Sequence, residues 1–292
     1  MNKDKLFHIV IYILLFLIAM TMIIPLLNIV ALSLTKPEGA LEFKGWEIIP
    51  KGFSLINYKV ILSNVMVLKS IFNSLFITGM GTLINILMTT MAAYALTRPS
   101  LIGKRFFMTL LIIVMVFEPG LIPEYLVIKK IGLIDNYWSV ILYKAVNVYY
   151  LIIIMRFFDE IPKSLIEAAE IDGAGHMRIL FKVVLPVAKA AIATIGLFYA
   201  VYHWNEYFRA SIYLNSQSKW PLQVVLRQFV VLDDTTSMIG VNNLLSYSDI
   251  ARLNYKALQA TTIIIAVIPI LLLYPLILKY YTKGTLEGGV KD

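Results

Sequence analysis

The chain is 292 residues long, 59% hydrophobic and only 15% charged, with a mean hydropathy of +0.78, which excludes a water-soluble globule. It contains no cysteine, which excludes disulfides, thiolate metal sites and cysteine nucleophiles, and His8, His176 and His203 are too far apart in sequence to suggest a local ligand cluster. The net charge of +8 comes from basic residues that border apolar runs rather than from a Lys/Arg block, so anionic lipid headgroups are the expected counter-charge, not nucleic acid.

The first apolar run extends from about Ile9 to Val30, behind Lys3 and Lys5. It is longer than the h-region of a secretory signal, and Ala31-Leu32-Ser33 leads only to a loop, so it is expected to be a retained helix. Residues 31–69 form a large extracytoplasmic loop in this reading, with Trp46 and Tyr58 as interface anchors. A second run covers about Ile71 to Leu96. The turn 97–105, with Arg98, Lys104 and Arg105, joins it to a third run from Phe106 to about Ile128. Glu118-Pro119-Gly120 and Pro123 interrupt that third run, where freed backbone groups need protein or water as partners and a hinge or gate is expected. A fourth run spans about Tyr137 to Phe157, a fifth starts at Pro186 and continues to about Tyr207, and a last one runs from about Ala257 to Tyr280. Between the last two lies a second large extracytoplasmic loop, residues 209–254. An all-α integral membrane protein with six transmembrane helices in one domain, residues 1–292, is the expected fold. The basic turn 97–105 and the Lys3/Lys5 flank put both termini in the cytoplasm.

The most polar segment between spans is the loop 158–186, also expected in the cytoplasm. Pro162 suits a helix start, because its missing N–H is not needed there and its φ is preset. Leu165, Ala168, Ala169 and Asp172 recur at helical spacing, and Lys163 and Glu167 are an i,i+4 pair. Gly173 can take the positive φ that stops the helix. A second helix, about Gly175 to Lys182, leaves at an angle, and Pro186 opens the fifth span. The expected product is a helix–turn–helix on the membrane surface, with small Ala168 and Ala169 allowing close approach of another protein.

Polar groups inside the spans, Asn73, Asn85, Thr89, Thr90, Glu118 and Asn147, are costly in hydrocarbon and should face the bundle interior or a cavity. Interhelical hydrogen bonding is the simpler role for each, and a translocation path the other. Tyr94, Tyr199, Tyr202 and Trp204 supply aromatic faces, although Tyr and Trp near span ends also form ordinary interface belts. His203-Trp204-Asn205-Glu206, at the outer end of the fifth span, is the better candidate for a gate. The substrate-path candidates are Asn85, Tyr199, Tyr202, Trp204, Asn205 and Glu206.

Glu167-Ala168-Ala169, three residues, Gly173, nine residues and Val183-Val184-Leu185-Pro186 together resemble the EAA loop of ABC importer permeases. The Asp172-Gly173-Ala174 continuation, Ile161-Pro162-Lys163-Ser164 before it and Trp204-Asn205 are similar to the carbohydrate-uptake, MalG-like branch. The Pro221-Leu222-Gln223 segment with Arg227 looks like that branch's oligosaccharide and polysaccharide permeases of the LplC and YtcP type. Ala190 stands where many relatives have proline, which would leave the start of the fifth span straighter. The resemblance implies a type I importer permease fold, with the first loop helix as a coupling helix seated on a cytoplasmic ATPase. Glu167, Ala168, Ala169, Asp172, Gly173, Ala174, Leu185 and Pro186 would form the coupling loop. It also implies a second homologous permease chain, an ATPase dimer and an extracytoplasmic binding protein, lipid-anchored in this branch.

The sequence has no P-loop, so this chain is expected to be a transport subunit rather than an enzyme, with ATP and Mg used by the partner ATPase and no cofactor of its own. The loop 209–254, with Asn215, Ser216, Gln217, Ser218, Trp220 and the acidic Asp233-Asp234, corresponds in position to the family's loop that reaches into the binding protein, and its polar stretches suit either contacts to sugar hydroxyls or simple surface cover. An ion-coupled secondary transporter and an ABC permease for a non-sugar solute are the alternatives. The first should show paired broken helices with coupling carboxylates in the membrane, of which Glu118 alone is a candidate. The second would share the loop but not its continuation.

Overall fold

The computed structural model describes residues 3–232 and 254–288. Among them the chain is helical, with one isolated antiparallel bridge, Thr35 to Phe53, in place of any strand. The helices are α1 (Lys3–Ser33), α2 (Pro37–Leu41), α3 (Ile56–Ser63), α4 (Val65–Thr97), α5 (Lys104–Val116), α6 (Leu121–Lys130), α7 (Tyr137–Ile141) and α8 (Val148–Asp159). They continue with α9 (Lys163–Ile171), α10 (His176–Val187), α11 (Lys189–Asn205), α12 (Phe208–Tyr213), α13 (Leu222–Val230) and α14 (Tyr255–Gly288).

Every expected apolar run is helical, but the runs are not six uninterrupted spans. α1, α4 and α14 carry the 3 stretches long and apolar enough to cross a membrane alone, and the total reaches 5 if each of two bent pairs is taken as one span. The third run bends by 116° between α5 and α6, at the expected Glu118-Pro119-Gly120 break, where Gly120 takes φ +83°. The fourth run is α7 and α8 separated by residues 142–147, so it is not one helix. The fifth begins at Lys189 rather than Pro186, and bends by 87° from α10. Pro186 therefore lies inside α10, directly after a π turn at Leu180–Val184. A proline has no N–H for the helical ladder, and a π turn is one way a helix absorbs such a break. The absent proline at Ala190 does not leave the chain straight here.

Contacts divide the chain into two compact units, residues 1–69 with 225–269, and residues 70–224 with 270–292. In the first, the loop after α1 is ordered by its backbone. Lys36 N–H donates to Gly52 O at 2.9 Å and Ser54 N–H to Leu34 O at 2.8 Å. Buried Asn57 ties it together by donating to the Ser33 and Thr35 carbonyls. The Glu47 carboxylate accepts from the Lys44 and Trp46 N–H groups, and these bonds, the Lys44 one foremost, hold its pKa down to about 2. Trp46 is exposed, as an interface anchor requires.

The second unit holds the main core. α8 buries Leu151, Ile154, Met155 and Phe158, an i, i+3, i+4, i+7 stripe that gives the helix one packed face. They pack with Ala93 and Leu96 of α4, Ile179, Leu180 and Val184 of α10, and Ile195 and Tyr199 of α11. α4 and α11 approach closely because glycines line their contact. A Cβ on Gly81 would stand 2.4 Å from His203 Nε2, and one on Gly196 would stand 2.6 Å from Ile86 Cδ1. Small residues at such positions are what let membrane helices pack backbone to backbone.

Candidate functional site

The first helix of the loop 158–186 and its stop fold as the spacing predicts, within a residue at the start, whereas the second helix runs on past Lys182 to Val187 and takes in Pro186. α9 begins at Lys163 with Pro162 as the flanking residue, and Asp172 closes it. Gly173 takes φ +73°, its N–H donates to Glu170 O at 3.0 Å, and Ala174 N–H donates to Ala169 O at 2.9 Å. These two bonds are the Schellman arrangement, which needs a left-handed residue at this place and favours glycine. The i,i+4 pair expected between Lys163 and Glu167 is not among the ion pairs of the described residues.

α9 has two faces. Ile166 and Ala169, with Ala174 beyond the cap, pack against the main core, so Ala169 supports the chain's own fold rather than offering a surface. The opposite face presents Ala168 and Glu167 with Leu165, 45% exposed, and Ile171, 86% exposed. Leu165, Ala168 and Ile171 thus leave an exposed apolar stripe on the outside of a helix whose other side is anchored. Leu185 packs on the same core, and Pro186 is exposed. A cleft of about 300 Å³ beside α9 is lined by Arg98, Ser100, Lys163, Glu167, Glu170 and His176, among others. Arg98 lies over the Tyr94 ring, 4.4 Å from its centre, and so ties the turn after α4 back onto that helix.

The expected path residues lie close along α4 and α11, but their polar groups are mostly used on other groups of the chain. Asn85, fully buried, donates through Nδ2 to Lys144 O at 3.0 Å and shares a 2.8 Å hydrogen bond through Oδ1 with His203 Nε2. The Tyr199 hydroxyl pairs with Thr89 Oγ1 at 2.8 Å and accepts from Asn147 N–H at 3.0 Å. Together they form a buried polar ladder linking α4, α11 and the start of α8, the simpler of the two roles open to them. Trp204 is also buried, Tyr202 packs edge to face on His203, and exposed Asn205 donates to Val201 O at 3.0 Å. Glu206 is bound to Arg209, whose backbone N–H donates to Glu206 Oε1 at 2.9 Å.

The polar stretch after α12 is likewise tied to the chain itself, against the expectation of groups free for sugar hydroxyls. Asp135 accepts from Ser216 N–H and Oγ–H at 2.9 and 2.7 Å and pairs with Lys219 Nζ at 2.7 Å. Lys219 first and Ser216 next hold the Asp135 carboxyl well below the usual carboxylate range. Asn73 Nδ2 donates to the Ser218 and Trp220 carbonyls, both at 3.0 Å. Asp233 and Asp234 of the same loop lie outside the described residues.

Sequence reasoning missed a second polar cluster. Tyr143 donates to Glu124 Oε1 at 2.8 Å and accepts from Arg209, whose guanidinium lies over the Tyr143 ring, 3.9 Å from its centre. Lys144, next in sequence, is 3.6 Å from Glu118. Both flank a cavity of about 460 Å³ at the α5–α6 bend. The available signal was a lysine inside the fourth apolar run, where an ionisable group is expensive and marks function.

A mainly helical chain with long apolar helices and a polar helix–turn–helix between its later spans is built as a multi-pass membrane protein. Its sequence from residue 70 to 286 matches the family described as binding-protein-dependent transport system inner membrane component, and the chain belongs to that family. It is similar to the polygalacturonan/rhamnogalacturonan transport system permease protein YtcP of Bacillus subtilis (strain 168), with 41% identity over 99% of each chain. Protein LplC of the same organism is 40% identical, over 92% of this chain and 89% of that one. Among solved structures, a bacterial ABC transporter involved in the import of the acidic polysaccharide alginate superposes with a TM-score of 0.87 at 30% identity, covering 96% of this chain and 98% of its counterpart. The chain is therefore a transport subunit of a binding-protein-dependent system in the inner membrane.

Proposed function

We propose that the chain forms half of the translocation path of an ATP-driven importer of oligosaccharides or polysaccharides, and that α9 is its coupling helix. The observation that carries this reading is the two-sided build of α9. Ile166 and Ala169 lock one face to the main core, the Gly173 turn pins the end, and Leu165, Ala168 and Ile171 remain outside. A short helix held this way moves with the core as a rigid body when its outer face is pushed, which a flexible loop of equal length would not do.

Glu167 and the outer stripe sit on the ATPase in this proposal, while Asp172, Gly173 and Ala174 set the direction in which the chain leaves. Leu185 and Pro186 complete the loop against α11. ATP and Mg belong to the partner ATPase dimer, and this chain binds no cofactor. A second homologous permease closes the path, and an extracytoplasmic binding protein delivers the sugar. Both termini are cytoplasmic, so the loop 158–186 and the turn 97–105 face the ATPase and residues 31–69 and 209–254 face outward. The sugar class rests on YtcP, on LplC-like sequence along nearly the whole chain, and on the alginate importer's similarity.

The test is uptake of labelled oligogalacturonides into proteoliposomes holding the complete complex, with ATP inside and ion gradients collapsed by ionophores. Uptake that needs ATP and the binding protein and survives the ionophores is expected. Uptake driven by an ion gradient without ATP would replace the importer with a secondary transporter.

A further inference from the structure

Lys144 has three properties that rarely coincide. It is a non-glycine residue at φ 52°, a left-handed conformation that side chains disfavour and that persists where the surroundings impose it. The imposing group is identifiable, since fully buried Asn85 donates to the Lys144 carbonyl at 3.0 Å and is itself fixed by His203. Its charge has one ionic partner in reach among the described residues, Glu118, at 3.6 Å, with side chains 42% and 82% exposed respectively. An exposed pair of this kind contributes little, so Glu118 is a counter-ion that another carboxylate can replace.

The cavity beside Lys144 has a matching lining. It holds about 460 Å³ and is walled by Glu118, Glu124, Tyr143, Asn147 and Tyr149 along with Lys144, within the size range of small-molecule sites. Glu124 is already engaged, paired with Arg209 at 3.7 Å and accepting from the Tyr143 hydroxyl, while Arg209 also pairs with Glu206 at 3.5 Å. The cation left for a ligand is Lys144, next to the half-exposed ring of Tyr149, an apolar face of the kind a sugar ring stacks on. A lysine in an apolar run, held in a strained backbone by a buried amide and released toward a cavity, is placed for an anion.

Resting on the importer reading above, we infer that this cavity is a sugar subsite in which Lys144 binds the carboxylate of a uronate residue, displacing Glu118. The permease then carries acidic oligosaccharides in preference to neutral ones. No bond is made or broken; one ion pair exchanges for another.

The experiment measures ATP-driven uptake of trigalacturonate and of its fully methyl-esterified, neutral form by the reconstituted complex. Wild type is compared with Lys144→Gln, Lys144→Arg and Glu118→Gln under one binding-protein preparation, so that protein's own preference cancels between variants. Lys144→Gln should lower the acid-to-ester uptake ratio about tenfold, the worth of one charge-assisted contact, and Lys144→Arg should keep it within about threefold. Glu118→Gln, a change at an exposed side chain, should raise the ratio about two- to threefold by removing the competing carboxylate. Equal loss of both substrates in Lys144→Gln would reduce Lys144 to a structural role and overturn the inference, as would a Glu118→Gln ratio that stays level or falls. If Lys144→Gln does not assemble, the Glu118→Gln ratio decides alone. Wild type that moves neither sugar with ATP refutes the importer reading instead, a result separate from any change in ratio.

Discussion

Gly173→Ala isolates what the turn after α9 contributes to coupling. Gly173 sits at φ +73°, and nothing lies within 4 Å of where a Cβ would stand, so the penalty is entirely one of backbone conformation. For alanine it is about 1 kcal/mol, which weakens the closed turn about fivefold relative to its opened forms. Asparagine tolerates the left-handed region far better than alanine, although it is the larger side chain. The expected order of sugar-stimulated over basal ATP hydrolysis in the reconstituted complex is therefore glycine, asparagine, alanine, with valine last. The Ala174 to Ala169 and Gly173 to Glu170 hydrogen bonds depend on the turn, and with them the angle at which α9 passes its motion to α10. If asparagine proved worse than alanine, side-chain volume at a docking surface would govern the site, and the conformational reasoning would be wrong. A full set of variants with unaltered stimulation would refute it as well.

Asn85→Ala should lower stability by about 2–3 kcal/mol, because it orphans His203 Nε2 and the Lys144 carbonyl in a buried place; thermal unfolding in detergent measures it, and an unchanged midpoint would contradict the ladder. Gly81→Ala should also lower the midpoint, since the new Cβ meets the His203 ring at 2.4–2.7 Å, whereas Gly79→Ala, with nothing within 4 Å, should be neutral or slightly stabilising. Asp135 has a folded pKa below its unfolded value, so its stabilising contribution is complete above about pH 4 and fades as pH falls through the lowered native value. Asp135→Asn should accordingly remove part of the acid-side slope in an unfolding-versus-pH series, and a slope identical to wild type would show that the Lys219 pair stabilises nothing.

The sequence exposes helix identity because apolar runs and caps are local. The Gly173 stop and the start beside Pro162 follow from φ preferences of single residues, and α8 shows its buried stripe in its own spacing. The breaks are another matter. A hydropathy reading averages across residues 142–147 and passes over Ala188, because a few residues suffice to turn a chain and cost little apolar length. Pro186 suggested a helix start, yet a π turn lets it sit within α10. The roles of Asn85, Tyr199 and Asn147 were open for a different reason. Their partners in this ladder are 52 to 118 residues away, and only packing decides whether a polar group in a span meets another or a lumen. Lys144 was legible as a charge within an apolar run, but its strained backbone and replaceable counter-ion are three-dimensional facts.

The proposed docking of α9 on the ATPase is open to direct measurement because the chain has no cysteine of its own. Ala168→Cys and Ile171→Cys place single thiols on the exposed stripe, and Trp46→Cys places one on an exposed loop assigned to the other side of the membrane. With thiol-to-amine crosslinkers about 10 Å long, in the assembled complex, the account predicts that the two α9 positions capture the ATPase, that the Trp46 position does not, and that capture blocks sugar-stimulated hydrolysis. Absence of ATPase capture from both α9 positions in an assembled, active complex would contradict it.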